Sequence, residues 1–109
     1  MREQLENMLA AGHDGPLLRF SLGDLLFKAD ETAEAARHLG AAVAHDPEYS
    51  AAWKLYGQSL AADDRPREAF EAFNTGIEVA ERRGDHQAAK EMRVFAKRAQ
   101  KHLDTPDNE

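Results

Sequence analysis

The sequence predicts an all-α fold built of short antiparallel hairpins, and three observations carry that expectation. Apolar residues recur at helical spacing in six segments; no stretch alternates apolar with polar residues long enough for a strand; and one residue pattern returns after 34 positions. The breaks between segments hold Gly, Asp or Pro where a turn needs them, so the helices are short and double back. The spacing predicts helices over 2–11, 16–29, 32–45, 50–62, 65–82 and 86–103. The tail DTPDNE, 104–109, has three acids and no large apolar side chain and is expected to be disordered.

The repeat is legible position by position. Leu5, Leu39 and Phe73 stand 34 residues apart in succession, as do Leu9, Val43 and Ile77; Gly23 pairs with Gly57, Leu26 with Leu60, and Ala35 with Ala69. A hairpin of this size cannot bury its apolar face alone, so successive units must stack to close a core. Segment 2–11 takes the register of the second helix of a unit whose first helix is missing, which makes it a half-repeat cap. In 16–29, Gly23 is placed where the two helices of a hairpin cross most closely, because Gly in a helix costs about 1 kcal/mol and needs a compensating close approach. Asp30 follows at the turn, expected to accept a bond from the free amides of the next helix. Thr32 then opens 32–45, with Ala35 as the small facing surface.

The second unit repeats the scheme with Trp53, Gly57, Asp64 and Ala69, and Pro66 falls in a first turn where it has no hydrogen bond to lose. Trp53 is read as a packing residue between hairpins, and Met8 and Met92 as core. Segment 86–103 puts Ala88, Met92, Phe95, Ala99 and Leu103 on one stripe. It matches the first helix of a third unit if one extra residue is allowed around Arg83-Gly84, and it serves as the terminal cap.

Composition narrows the function. A chain of 109 residues is the size of one domain and buries roughly two thirds of the surface its unfolded form exposes. With 14 Lys and Arg against 20 Asp and Glu, its net charge of -6 disfavours nucleic acid and anionic membrane as partners. The absence of cysteine excludes disulfides, thiolate metal sites and cysteine nucleophiles. The opening MREQLENMLAAG has no apolar run long enough for a signal peptide or a membrane span, so the expected location is cytoplasmic. None of the five His is three or four residues from another, and His38 and His45 are separated by about 10 Å of helical rise, so no metal is expected. Phosphate loop, nucleophile elbow and dinucleotide glycines are all missing, and Asp63-Asp64 reads as a solvated turn, so neither a cofactor nor an enzyme activity is expected.

The pattern resembles the tetratricopeptide repeat family, whose 34-residue signature of Trp, Leu-Gly, Tyr, Ala, Phe and Pro is approached twice, over 16–49 and 50–83. Trp53, Tyr56-Gly57, Leu60, Ala69 and Phe73 follow it in the second unit, with Glu81 in place of Pro. Leu22-Gly23, Leu26, Ala35, Leu39, Ala42 and Pro47 follow it in the first, with Arg19 in place of the aromatic. The resemblance implies a short right-handed solenoid spanning 1–103 as one domain. It also implies a concave groove, lined by the first helix of each hairpin, that holds a peptide or helix of a partner protein.

Carried over by register, the implied lining is Leu17, Phe20, Asp24 and Lys28 from the first hairpin, Lys54 and Gln58 from the second, and His86, Lys90, Arg93 and Lys97 from the cap. The Lys and Asn of the family's chaperone-binding clamp are replaced by Phe20 and Asp24, and another Asn by Leu55. From Asp85 to Leu103 the chain has five Lys or Arg against two acids, an excess of +3. This suits an acidic or carboxylate-ended segment, or else a solvated face near a helix C-terminus. The alternative to a peptide-binding scaffold is a structural role through self-association as a homodimer.

Overall fold

The computed structural model describes residues 1–104, and all the regular structure among them is helical. Six helices follow in order: α1 (Arg2–Ala10), α2 (Pro16–Lys28), α3 (Thr32–His45), α4 (Ser50–Ala62), α5 (Pro66–Arg82) and α6 (His86–Asp104). Asp104 thus ends a helix; the rest of the tail, 105–109, lies outside the described residues.

Each helix packs on its sequence neighbour, and the even-numbered helices α2, α4 and α6 also touch in succession. The backbones of the odd-numbered helices do not approach one another in this way among the described residues. The even row is therefore the inner, concave side of a short solenoid, 46 × 35 × 18 Å overall.

Close crossings set the hairpins. A Cβ placed on Gly23 would overlap the side chain of Leu39 in α3, and one on Gly57 would overlap the ring of Phe73 in α5. These are the crossings expected from the 34-residue glycine pair. Two further glycines serve contacts between hairpins: Gly40 lies against Tyr56 of α4, and a Cβ on Gly76 would come within 2.8 Å of Trp53 Cβ and closer to Met92. Around them lie Leu22, Leu26, Leu39, Leu60, Phe73 and Met92, all essentially without exposed surface. Trp53 packs against the cores on both sides of α4 and donates from Nε1 to the Pro47 carbonyl at 2.8 Å, as a packing residue that also closes a turn.

Four of the five turns share one closure. Gly12, Asp30, Asp64 and Gly84 have φ of 95°, 63°, 59° and 77°, and each helix before them ends with paired backbone bonds into its last turn, such as Asp30 N–H to the Phe27 carbonyl and Glu31 N–H to that of Leu26. This is the left-handed C-terminal cap. Asp30 and Asp64 therefore close the preceding helix; the expected side-chain bond to the next helix is not made.

Met8 departs from its expected core position and is 46% exposed, and α1 has no buried residue at all. The physical reason is that α1 packs only on α2 among the described residues, which leaves its other side uncovered. Side chains stitch one unit to the next: Arg2 to Glu31 at 2.8 Å, Thr32 Oγ1 to Asp63 at 3.0 Å, Arg82 to Glu48 at 2.7 Å, and Ser50 Oγ to Asp85 at 3.2 Å.

Candidate peptide-binding groove

Where α2, α4 and α6 come together, the inner face opens into a cavity of about 280 Å³. Phe27 of α2, Ala61 of α4 and Phe95 and Ala99 of α6 give it an apolar lining, with Phe73 below and Pro66 at one end. Gln58, Asp64, Arg98 and His102 supply its polar groups. The Phe73 and Phe95 rings are 5.5 Å apart between centroids, so the floor is continuous with the core. Arg98 Cζ stands 5.7 Å from the centre of the Phe95 ring, a cation over an aromatic face.

The expected lining residues divide by helix. Phe20, Asp24 and Lys28 share the helical stripe of Phe27 at three- and four-residue spacing, and Leu17 continues it at the start of α2, 68% exposed. Phe20 leans on Tyr49, with centroids 5.0 Å apart, and Lys28 pairs with Asp24 at 2.9 Å. Gln58 lies in the cavity wall, while Lys54, one turn earlier, bonds Glu91 of α6 at 2.6 Å and is neutralised there. A hydrogen bond from Gln87, and then the Lys54 contact, hold the Glu91 carboxyl below its ordinary range.

On α6 the expectation needs correction. Arg93 and Lys97 line a depression shared with Phe70, Asn74 and Ile77 of α5, and Arg93 pairs with Glu81 of α5. His86 also bonds Glu81, at 3.0 Å, and Lys90 lies one turn before Arg93 on the same stripe. These four sit away from the α4 side, which is taken by Glu91, Phe95, Arg98 and His102. Lys54 meets Glu91, and Phe95, Arg98 and His102 follow Glu91 at three- and four-residue spacing, so the side of α6 turned toward α4 is a different stripe from that of His86, Lys90, Arg93 and Lys97. Phe95, Arg98 and His102 were not among the expected lining residues of α6; Phe27 of α2 was not either, although it was findable from its place between Asp24 and Lys28.

A polar network occupies the other end of the array. Arg19, at the position of the family's aromatic, grips Asp14 through Nε at 2.8 Å and Nη2 at 3.0 Å, and His45 reaches the same carboxylate at 3.0 Å. Asp14 is lowered to about 2, chiefly by the Arg19 bond. His38, only 5% exposed, has Arg19 at 3.1 Å from Nδ1 and Arg37 at 3.2 Å from Nε2. A neutral imidazole has a single acceptor nitrogen, so only one of these guanidiniums can donate into it. Burial, then the two Arg charges, pushes its pKa down. Among the described residues, no group of three or more His, Cys, Asp or Glu is arranged to hold a metal ion.

Comparison with known proteins agrees with this geometry. A family model described as tetratricopeptide repeat matches residues 16–59. A TPR repeat-containing protein of Pseudomonas aeruginosa is 45% identical over 98 residues, covering 90% of this chain and 93% of its own length. The chain belongs to the tetratricopeptide repeat family. A protein of Bordetella parapertussis with a known solution structure is 40% identical, with a TM-score of 0.77 over 93% of this chain and 88% of its own. The tetratricopeptide repeat domain protein of Salinibacter ruber, at 23% identity, shares the fold with a TM-score of 0.73 over 86% and 95% of the two chains. Tetratricopeptide repeats generally mediate protein–protein interaction and act as non-catalytic scaffolds. Among the described residues no helix is long and apolar enough to cross a membrane.

Proposed function

We propose that this tetratricopeptide repeat protein is a cytoplasmic, non-catalytic interaction module that holds a segment of a partner protein on its concave face. The observation that carries the reading is the apolar cavity at the junction of α2, α4 and α6, where Phe27 and Phe95 line an open recess. Aromatic side chains beside a few fixed polar groups are what an anchoring pocket requires. Leu17, Phe20, Asp24, Lys28 and Gln58 extend the same face along α2 and α4, while Lys54 acts as a strut to α6 through Glu91. Arg93 and Lys97 line the depression against α5 instead, with His86 and Lys90 on the same stripe of α6.

The test is affinity co-purification from the source organism with two variants. Ala61→Arg puts a long charged side chain into the cavity from an exposed position, whereas Glu78→Arg alters an exposed position on α5. Partners lost with the first and kept with the second support the groove. Partners retained by Ala61→Arg, or lost only with Glu78→Arg, overturn it.

A further inference from the structure

We infer that Arg98 and the Phe27–Phe95 recess form an anchor for one kind of partner segment: a bulky apolar side chain closely flanked by a carboxylate. The inference rests on the groove reading and adds the chemistry of its occupant.

Most cations near the inner face are already satisfied. Lys28 is held by Asp24, Lys54 by Glu91, and Arg65 by Glu68 and Asp63. Arg98 is the one Lys or Arg lining the cavity, and among the described residues no carboxylate lies within ion-pair distance of it. Its guanidinium stands over Phe95 instead. That placement fixes the group without using its N–H donors on another carboxylate, so it is set to receive one from outside, and a planar guanidinium receives a carboxylate in bidentate fashion. His102, one turn further along α6, adds a ring nitrogen to the same wall.

The recess beneath is apolar, and at about 280 Å³ it lies just below the span of roughly 300–1,000 Å³ usual for small-molecule pockets. It fits one bulky side chain. Asp64 lines the cavity as well and repels a second carboxylate, so the bound acid is directed to the α6 wall. The chain's own terminus, TPDNE at 105–109, has the charge but no large apolar side chain to fill the recess. A separate protein segment is therefore the occupant to which both halves of the site point.

The experiment is a chemical-shift titration of the full chain with short capped peptides in which Phe or Leu is followed by Glu, each matched by a Gln counterpart. The expected result is shifts at Phe27, Ala61, Phe95 and Ala99, with the Glu peptides tighter by about tenfold, as a charge-assisted bond provides. Arg98→Gln, at an exposed position, should abolish the Glu preference while leaving weaker apolar binding. Arg98→Lys should keep part of it. Equal affinity for Glu and Gln peptides at the groove overturns the carboxylate anchor and leaves the groove reading standing; shifts confined to α3 and to α5 residues other than Pro66 and Phe73 overturn both. A chain ended after Asp104 should bind as the full chain does, and a gain of about tenfold or more would assign the recess to the terminus and overturn the proposal. A dimer by light scattering that Arg98→Gln dissolves would assign it to a second copy, with the same consequence.

Discussion

Single residues in this protein are chosen for what the backbone permits as much as for what the side chain touches. Gly57 and Gly40 make a controlled comparison, because both are helical yet only Gly57 has a ring, that of Phe73, in the space a Cβ would need. Tyr56 stands 3.4 Å from the corresponding point at Gly40, ordinary contact distance. Gly57→Leu is expected to cost about 1–3 kcal/mol through overpacking. Gly40→Ala should be neutral or gain up to about 1 kcal/mol from helix propensity. Urea unfolding checks both, and equal losses at the two positions would contradict the crossing geometry. Asp30 presents the converse case, with a side chain held at a φ of 63°. Asp30→Gly should leave stability unchanged or raise it, while Asp30→Ala should lower it by about 1 kcal/mol, since Ala has neither the freedom of Gly nor a short polar group to support the left-handed region. The glycine crossings were legible in the sequence from their repeat. The left-handed role of the aspartates was not, because an Asp at a helix boundary signals a cap on either side and only the backbone dihedral decides which.

Elements differ in how much the repeat alone determines. All six helices lie within about one residue of their expected bounds, because helical periodicity and turn residues agree at every junction. The rotation of α6 was less accessible. α5 runs 17 residues against 13 for α4, with Glu81 where the family pattern has Pro, and the chain enters α6 with a phase no neighbouring repeat could fix. Of the residues that line the cavity, Gln58 was among those expected from the repeat, while Phe27, Ala61, Phe95, Arg98 and His102 were not. Part of the molecule's acid sensitivity lies at the α2–α3 hairpin, alongside the lowered carboxyls of Glu48, Glu68, Glu81 and Glu91 elsewhere. Folded His38 binds its proton less tightly than it does in the unfolded chain, so the unfolded state takes up more protons as pH falls below the ordinary value of 6.5, and stability drops with it. A second loss follows between 3.8 and about 2, where Asp14 is protonated and releases Arg19 and His45. Above 6.5 both contributions are intact. His38→Leu should show a smaller fall in urea midpoint between pH 7.5 and 5 than the parent; an identical fall would place the effect elsewhere.

As a whole, the chain is a stack in which each layer is finished by the next. α6 covers α5, sets Phe95 beside Phe73 with their rings tilted by 33° and seats Met92 against Gly76. A chain ended at Gly84 is expected to lose cooperative thermal unfolding and to bind a hydrophobic dye, because Phe73, Ala72 and Ala80 would then face water. A sharp transition in that fragment would show that the first four helices and α5 suffice. The uneven spacing of the two helical rows bears on how such a stack yields to force. With α2, α4 and α6 already touching, inward curling is stopped by side chains in contact, while the separated outer helices leave room for the opposite bend. A segment wedged into the recess would therefore be expected to splay the inner row and bring the outer helices closer, so that occupancy of the concave face would be read as a change of spacing on the convex one.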